Sequence, residues 1–69
     1  MKRSDLPTTR VLVGIRDHGT HALDELTGTY PIKVVRAAFA RDVRRGYIEY
    51  GVTLDRPWLT PQGHKALGL

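Results

Sequence analysis

The 69-residue sequence predicts a mainly helical α+β domain made of three helices, a β-hairpin and a short C-terminal helix. Three observations carry that expectation. Apolar residues recur at three- and four-residue steps through the first two thirds of the chain. Aromatic and β-branched residues gather directly after Gly46, where the helical period stops. Thr60-Pro61 then places a capping hydroxyl before a residue suited to the first turn of a helix. A chain of this size buries only about 60% of its unfolded surface and holds one core. Residues 1–69 are therefore expected to form a single domain, with 1–6 flexible. There is no cysteine, which removes disulfides and thiolate ligands together.

Taken in order, Ser4 or Asp5 is expected to cap a first helix that opens near Pro7 and runs to about His18. Val11, Leu12 and Ile15 are its inward residues, and Gly19 supplies a left-handed stop. Thr20 reads as the N-cap of a short helix over residues 21–27. Ala22, Leu23 and Leu26 make its apolar side, while Asp24 and Glu25 suit the positive end of the helix dipole. Gly28-Thr29 breaks the helix. The third helix is expected to begin at Pro31 and end at Gly46, burying Ile32, Val35, Phe39 and Val43. The same geometry turns Lys33, Arg36, Ala37, Ala40, Arg41 and Arg44 outward. Residues 47–54 read as a strand, Asp55-Arg56-Pro57 as a turn, and Trp58-Leu59 as the return strand before a helix reaching about Leu67. Tyr47 is expected in the core and Trp58 between the hairpin and the helices, with His64 exposed.

The charge distribution is uneven. The net charge is +4, and all of it lies in residues 30–45, where Lys33, Arg36, Arg41, Arg44 and Arg45 stand against the single acid Asp42. Excess positive charge on one helical side favours a polyanionic partner, with nucleic acid the leading candidate. Ala37 and Ala40 between the cations would let the helix backbone approach that partner closely. Anionic lipid meets the same charge criterion, but an interfacial helix must offer its apolar side to the membrane, and here that side is committed to a core. No apolar run reaches the length of a bilayer span or a signal peptide. A cytoplasmic, nucleoid-associated protein without membrane contact is expected.

His18 and His21 stand near Asp17 and Asp24, yet the break at Gly19 separates them and no cysteine completes a ligand set, so no metal and no cofactor is expected. Catalysis has little to work with. The one serine, Ser4, lies at the N-terminus, and there are no paired carboxylates or glycine-rich phosphate loop, so the chain reads as a non-enzyme.

The second and third helices, joined by a tight turn holding Gly28 and followed by a hairpin, have the order of a helix-turn-helix with a wing. Val43-Arg44-Arg45-Gly46-Tyr47-Ile48 resembles the end of a recognition helix and the start of a wing. The run from Trp58 through Leu59-Thr60-Pro61-Gln62-Gly63-His64-Lys65-Ala66-Leu67 is similar to the Leu-Thr-x-x-Gly-x-x-x-Leu signature that closes the wing in MarR-type and PadR-type regulators. The resemblance covers residues 8–67 and implies a winged helix-turn-helix DNA-binding domain. The additional helices with which those families dimerise and bind effectors have no counterpart here, so the chain is more similar to small regulators of phages and mobile elements. The resemblance further implies that the third helix enters the major groove, with Lys33, Arg36, Ala37, Ala40, Arg41 and Arg44 facing bases or phosphates. Thr29 and Tyr30 would meet a phosphate at the helix start, and Arg56 at the wing tip would serve the minor groove.

The expected function is sequence-specific binding of double-stranded DNA, as a small transcriptional regulator acting by site occupancy. A second copy on the DNA is a further expected partner. About five phosphate contacts would give a log–log salt slope of about −4 to −5. Two alternatives stay open at this point: an excisionase-type or architectural DNA-bending protein, and a winged helix that contacts and modifies a host protein.

Overall fold

The structure, a computed structural model, describes residues 1–68; residue 69 of the expected domain lies outside the described residues. A single 3₁₀ turn, Arg3–Asp5, leads into α1 (Thr8–His18). A second 3₁₀ turn, Gly19–His21, joins α1 to α2 (Ala22–Leu26), and α3 (Ile32–Arg44) follows. The antiparallel pair β1 (Ile48–Glu49) and β2 (Trp58–Leu59) precedes α4 (Pro61–Ala66). The architecture is thus mainly helical, with one two-stranded hairpin and a short C-terminal helix.

The start of the chain differs from the expectation. Ser4 and Asp5 do not cap α1, because Pro7 occupies the N-cap position and makes no side-chain cap. Asp5 instead accepts a hydrogen bond from the Lys2 backbone N–H at 2.7 Å, closing the 3₁₀ turn. That turn drops Leu6, counted with the flexible leader by sequence, into the core with no exposed surface. Burying a leucine side chain contributes roughly 1.5–3 kcal/mol, enough to hold the turn against α3.

At the corner between α1 and α2, Gly19 has φ 58° and ψ −132°, a conformation available to glycine but outside the left-handed helical well. Thr20 does not act as an N-cap. Thr20 lies inside the 3₁₀ turn, and His21, not Thr20, precedes α2, without a side-chain cap.

The core comprises Leu6, Val11, Leu12, Ile15, Ala22, Leu26, Val34, Val35, Ala38, Phe39 and Ile48, with Leu23, Tyr30, Val43, Tyr47, Leu54, Leu59 and Leu67 packed around it. On α3 the buried arc is rotated relative to the sequence expectation. Val34, Val35, Ala38, Phe39 and Asp42 face inward, Val43 is half-buried, and Ile32 is 43% exposed. The 3₁₀ turn and the start of α1 lie on the Ala38–Asp42 side, so burial extends that way and leaves Ile32 at the margin. Apolar periodicity could not show this, since the residue completing the buried arc is an aspartate.

The strand expected over residues 47–54 ends at Glu49. Pairing of Ile48 with Leu59 and Glu49 with Trp58 would place Tyr50 opposite Pro57, which has no N–H to continue the ladder. The intervening loop is closed by Thr53, whose hydroxyl accepts from the Asp55 N–H and whose carbonyl accepts from the Arg56 N–H, both at 3.2 Å. Trp58 meets its expectation in part: it is 46% exposed, sharing one side of the hairpin with Glu49, and lines a depression with Ile15, Arg16, Gly19 and Thr20 at the end of α1, while Ile48 takes the fully buried position.

Thr60 joins the hairpin to the end of α3. Its hydroxyl donates to the Gly46 carbonyl at 2.6 Å and accepts from the Gly63 N–H at 3.1 Å, capping α4. Gly63 is required here, because a Cβ at that position would overlap the Tyr47 carbonyl oxygen.

Candidate nucleic-acid interface

The residues expected to face outward from α3 separate into three groups. Lys33 and Arg44 are exposed near the two ends of the helix, and Ala37 and Ala40 lie half-buried between them. Small side chains keep this strip low, so the backbone is close to anything lying along it. Among the described residues neither Lys33 nor Arg44 forms an ion pair.

Arg36 is also exposed, but it has a partner. Its Nε donates to Asp55 Oδ1 at 2.9 Å and its Nη2 to Asp55 Oδ2 at 2.8 Å. These hydrogen bonds, with a smaller contribution from charge attraction, hold the Asp55 carboxyl below its ordinary range and raise the Arg36 guanidinium. The pair ties the hairpin loop to the second turn of α3.

Arg41 departs from the expected outward set. Its side chain is 12% exposed and grips Asp42, Nε to Oδ1 at 3.1 Å and Nη2 to Oδ2 at 3.0 Å. Its Nη1 donates to the Arg3 carbonyl at 2.8 Å. Asp42 is fully buried and also accepts from the Thr8 hydroxyl at 2.7 Å. A buried carboxylate persists only when paired and hydrogen-bonded, and Arg41 and Thr8 meet that requirement. This guanidinium is turned toward the N-terminal segment, away from the Lys33–Arg44 strip.

Thr29 is exposed in the turn before α3, whereas Tyr30 packs partly against the core, and both backbone N–H groups bond the Leu26 carbonyl. Arg56 is exposed and without an ion pair among the described residues, but it is not at the loop tip. It sits on the returning arm and lines a depression with Thr20, His21, Leu23, Asp24 and Asp55, while Val52 is the fully exposed residue of the loop.

Two contributions escaped the sequence reading. Asp55 reads in sequence only as a turn residue, and nothing local to it signals a partner nineteen positions away. Asp42 did carry a signal, being the one acid among five cations and lying one turn from Ala38 on the buried arc. Among the described residues no group of three or more potential metal ligands occurs, and no helix is long and apolar enough to cross a membrane. Compared with protein-family models, curated proteins and solved structures, the chain matches none.

Proposed function

We propose that the chain is a winged helix-turn-helix domain that binds double-stranded DNA through the outer side of α3, acting as a small transcriptional regulator by occupying its site. The observation that carries this reading is the strip from Lys33 over Ala37 and Ala40 to Arg44, with an unpaired cation near each end of a low apolar surface. At 1.5 Å per residue the two cations are separated by about 16 Å along the axis. A major groove is about 12 Å wide, so Lys33 and Arg44 can reach phosphates on both of its walls. Arg36 lies between them in the fork geometry that reads guanine O6 and N7. Arg56, on the loop, adds a contact to a flanking phosphate or the minor groove.

With Arg41 engaged by Asp42 and Arg36 by Asp55, the free cations of this surface are Lys33, Arg44 and Arg56. Three phosphate contacts give a log–log salt slope of about −3, shallower than the five-contact expectation. The test is duplex binding measured across salt concentrations, combined with selection from random-sequence DNA. A slope of about −3 with enrichment of a motif supports specific recognition. A slope near zero, or a slope unchanged in the Lys33→Ala, Arg44→Ala double variant, overturns it. Strong bending of the bound duplex without an enriched motif would replace regulation with an architectural role.

A further inference from the structure

A second concentration of positive charge lies beside the last turn of α3, where it meets the N-terminal segment. A cleft of about 530 Å³ is lined by Arg3, Ser4, Pro7, Thr8, Arg41 and Arg45. It brings together the first 3₁₀ turn, the start of α1 and the end of α3. The acid associated with it, Asp42, is fully buried behind these side chains, its oxygens already taken by Thr8 and Arg41. Asp42 faces two guanidinium groups, Arg41 at 3.0 Å and Arg45 at 3.9 Å, and with the unpaired Arg3 the cleft lining carries two more positive charges than Asp42 offsets.

Two of these cations, Arg41 and Arg45, are held in place. Arg41 is fixed by Asp42 and by the Arg3 carbonyl. Arg45 donates one Nη1 bond to the Thr8 hydroxyl at 2.9 Å and lies 3.9 Å from Asp42, yet its side chain remains 54% exposed. Most of its five N–H donors thus stay free to meet a ligand. Arg3 has no ion pair among the described residues, and Ser4, the next residue on the cleft lining, is exposed. Like charges anchored together repel unless an anion joins them.

We propose that this cleft is a binding site for a phosphate group, held by the guanidinium groups of Arg3 and Arg45 and the hydroxyl of Ser4. A planar carboxylate is satisfied by one guanidinium fork, whereas a tetrahedral phosphate accepts hydrogen bonds from several directions, as donors on separate elements provide here. The shared chemistry covers two sources, the backbone of a nucleic acid reaching round the end of α3 and a free phosphate monoester. The site stands independently of the DNA reading of the outer strip.

The experiment is amide NMR of the ¹⁵N-labelled chain titrated with inorganic phosphate at constant ionic strength. Saturable shifts centred on residues 3–8 and 41–46 are expected. Arg3→Ala and Arg45→Gln should each weaken binding about tenfold, the loss of one charge-assisted contact, while Lys65→Ala on α4 leaves it unchanged. Arg3→Ala removes no side-chain hydrogen bond of the fold, so its effect reads on the ligand even if Arg45→Gln loosens the end of α3. Shifts that do not saturate, that spread evenly over all basic residues, or that persist in both variants overturn the proposal. Parallel titrations separate the sources. Duplex DNA moving the same amides, with a salt slope about 0.9 shallower in Arg45→Gln, assigns a backbone phosphate. A nucleoside monophosphate binding more tightly than inorganic phosphate, with these amides unmoved by duplex, assigns a free ligand. Loss of duplex binding alone overturns the outer-strip reading and leaves the phosphate titration to judge the cleft.

Discussion

The Arg36 guanidinium holds the Asp55 carboxylate by two parallel hydrogen bonds of 2.9 and 2.8 Å, linking the second turn of α3 to the hairpin loop. Both partners are on the surface, where ion pairs add little to stability, so the consequence is orientation. The fork that would address a guanine in the proposed complex is already occupied by a carboxylate, and a duplex would have to displace Asp55 to use it. A negative group beside the proposed phosphate-binding strip would also penalise contacts made by charge alone.

Replacing that carboxylate should therefore strengthen unselective binding. In Asp55→Asn the salt slope on random duplex should steepen by about 0.9 as Arg36 becomes free for a phosphate, with the melting temperature unmoved. Fluorescence anisotropy across salt concentrations measures it. An unchanged slope would mean that Arg36 takes no part in binding.

The same pair has a pH signature. Asp55 in the folded chain titrates below the ordinary carboxylate range, chiefly through its hydrogen bonds from Arg36. Because the folded value is the depressed one, the pair favours folding above the unfolded value and loses that contribution as pH falls through the folded value. A carboxyl-carbon NMR titration should show the depressed midpoint in the native chain and a return to the ordinary range in Arg36→Gln.

Arg41 and Asp42 should behave as structural residues. Removing either partner leaves a buried charge uncompensated, at a cost of about 3–5 kcal/mol. A domain of this kind has only about 5–15 kcal/mol in total. Urea denaturation of Asp42→Ala and Arg41→Ala should show that loss, whereas Lys33→Ala and Arg44→Ala should stay within about 0.5 kcal/mol of the native chain. A stable Arg41→Ala variant with weakened duplex binding would return Arg41 to the contact surface.

The junction of Thr60 and Gly63 with the end of α3 is the second stability test. Thr60→Val removes a helix cap worth about 0.5–2 kcal/mol and leaves the Gly46 carbonyl without its donor. Gly63→Ala forces a Cβ against the Tyr47 carbonyl and should separate α4 from β1. Both should lower the urea midpoint and speed amide exchange in the hairpin.

Local rules in the sequence determined much of this protein. Apolar spacing determined α1 and α3 to within a residue or two, and Thr60-Pro61 marked the start of α4, because helix periodicity and capping act over only a few residues. The concentration of charge on α3 was equally visible. The tertiary structure decided which of those charges are free. Arg36 and Arg41 look alike in sequence, yet Arg36 meets the hairpin loop nineteen positions away, while Arg41 folds back onto its buried neighbour Asp42 and reaches the Arg3 carbonyl thirty-eight positions away. It also decided that Leu6 belongs to the core, that Trp58 stays half exposed beside the end of α1, and that the hairpin stops where Pro57 would have to pair. Each of these depends on which surface packs against which, and burial and ion pairing are properties of neighbours in space rather than along the chain.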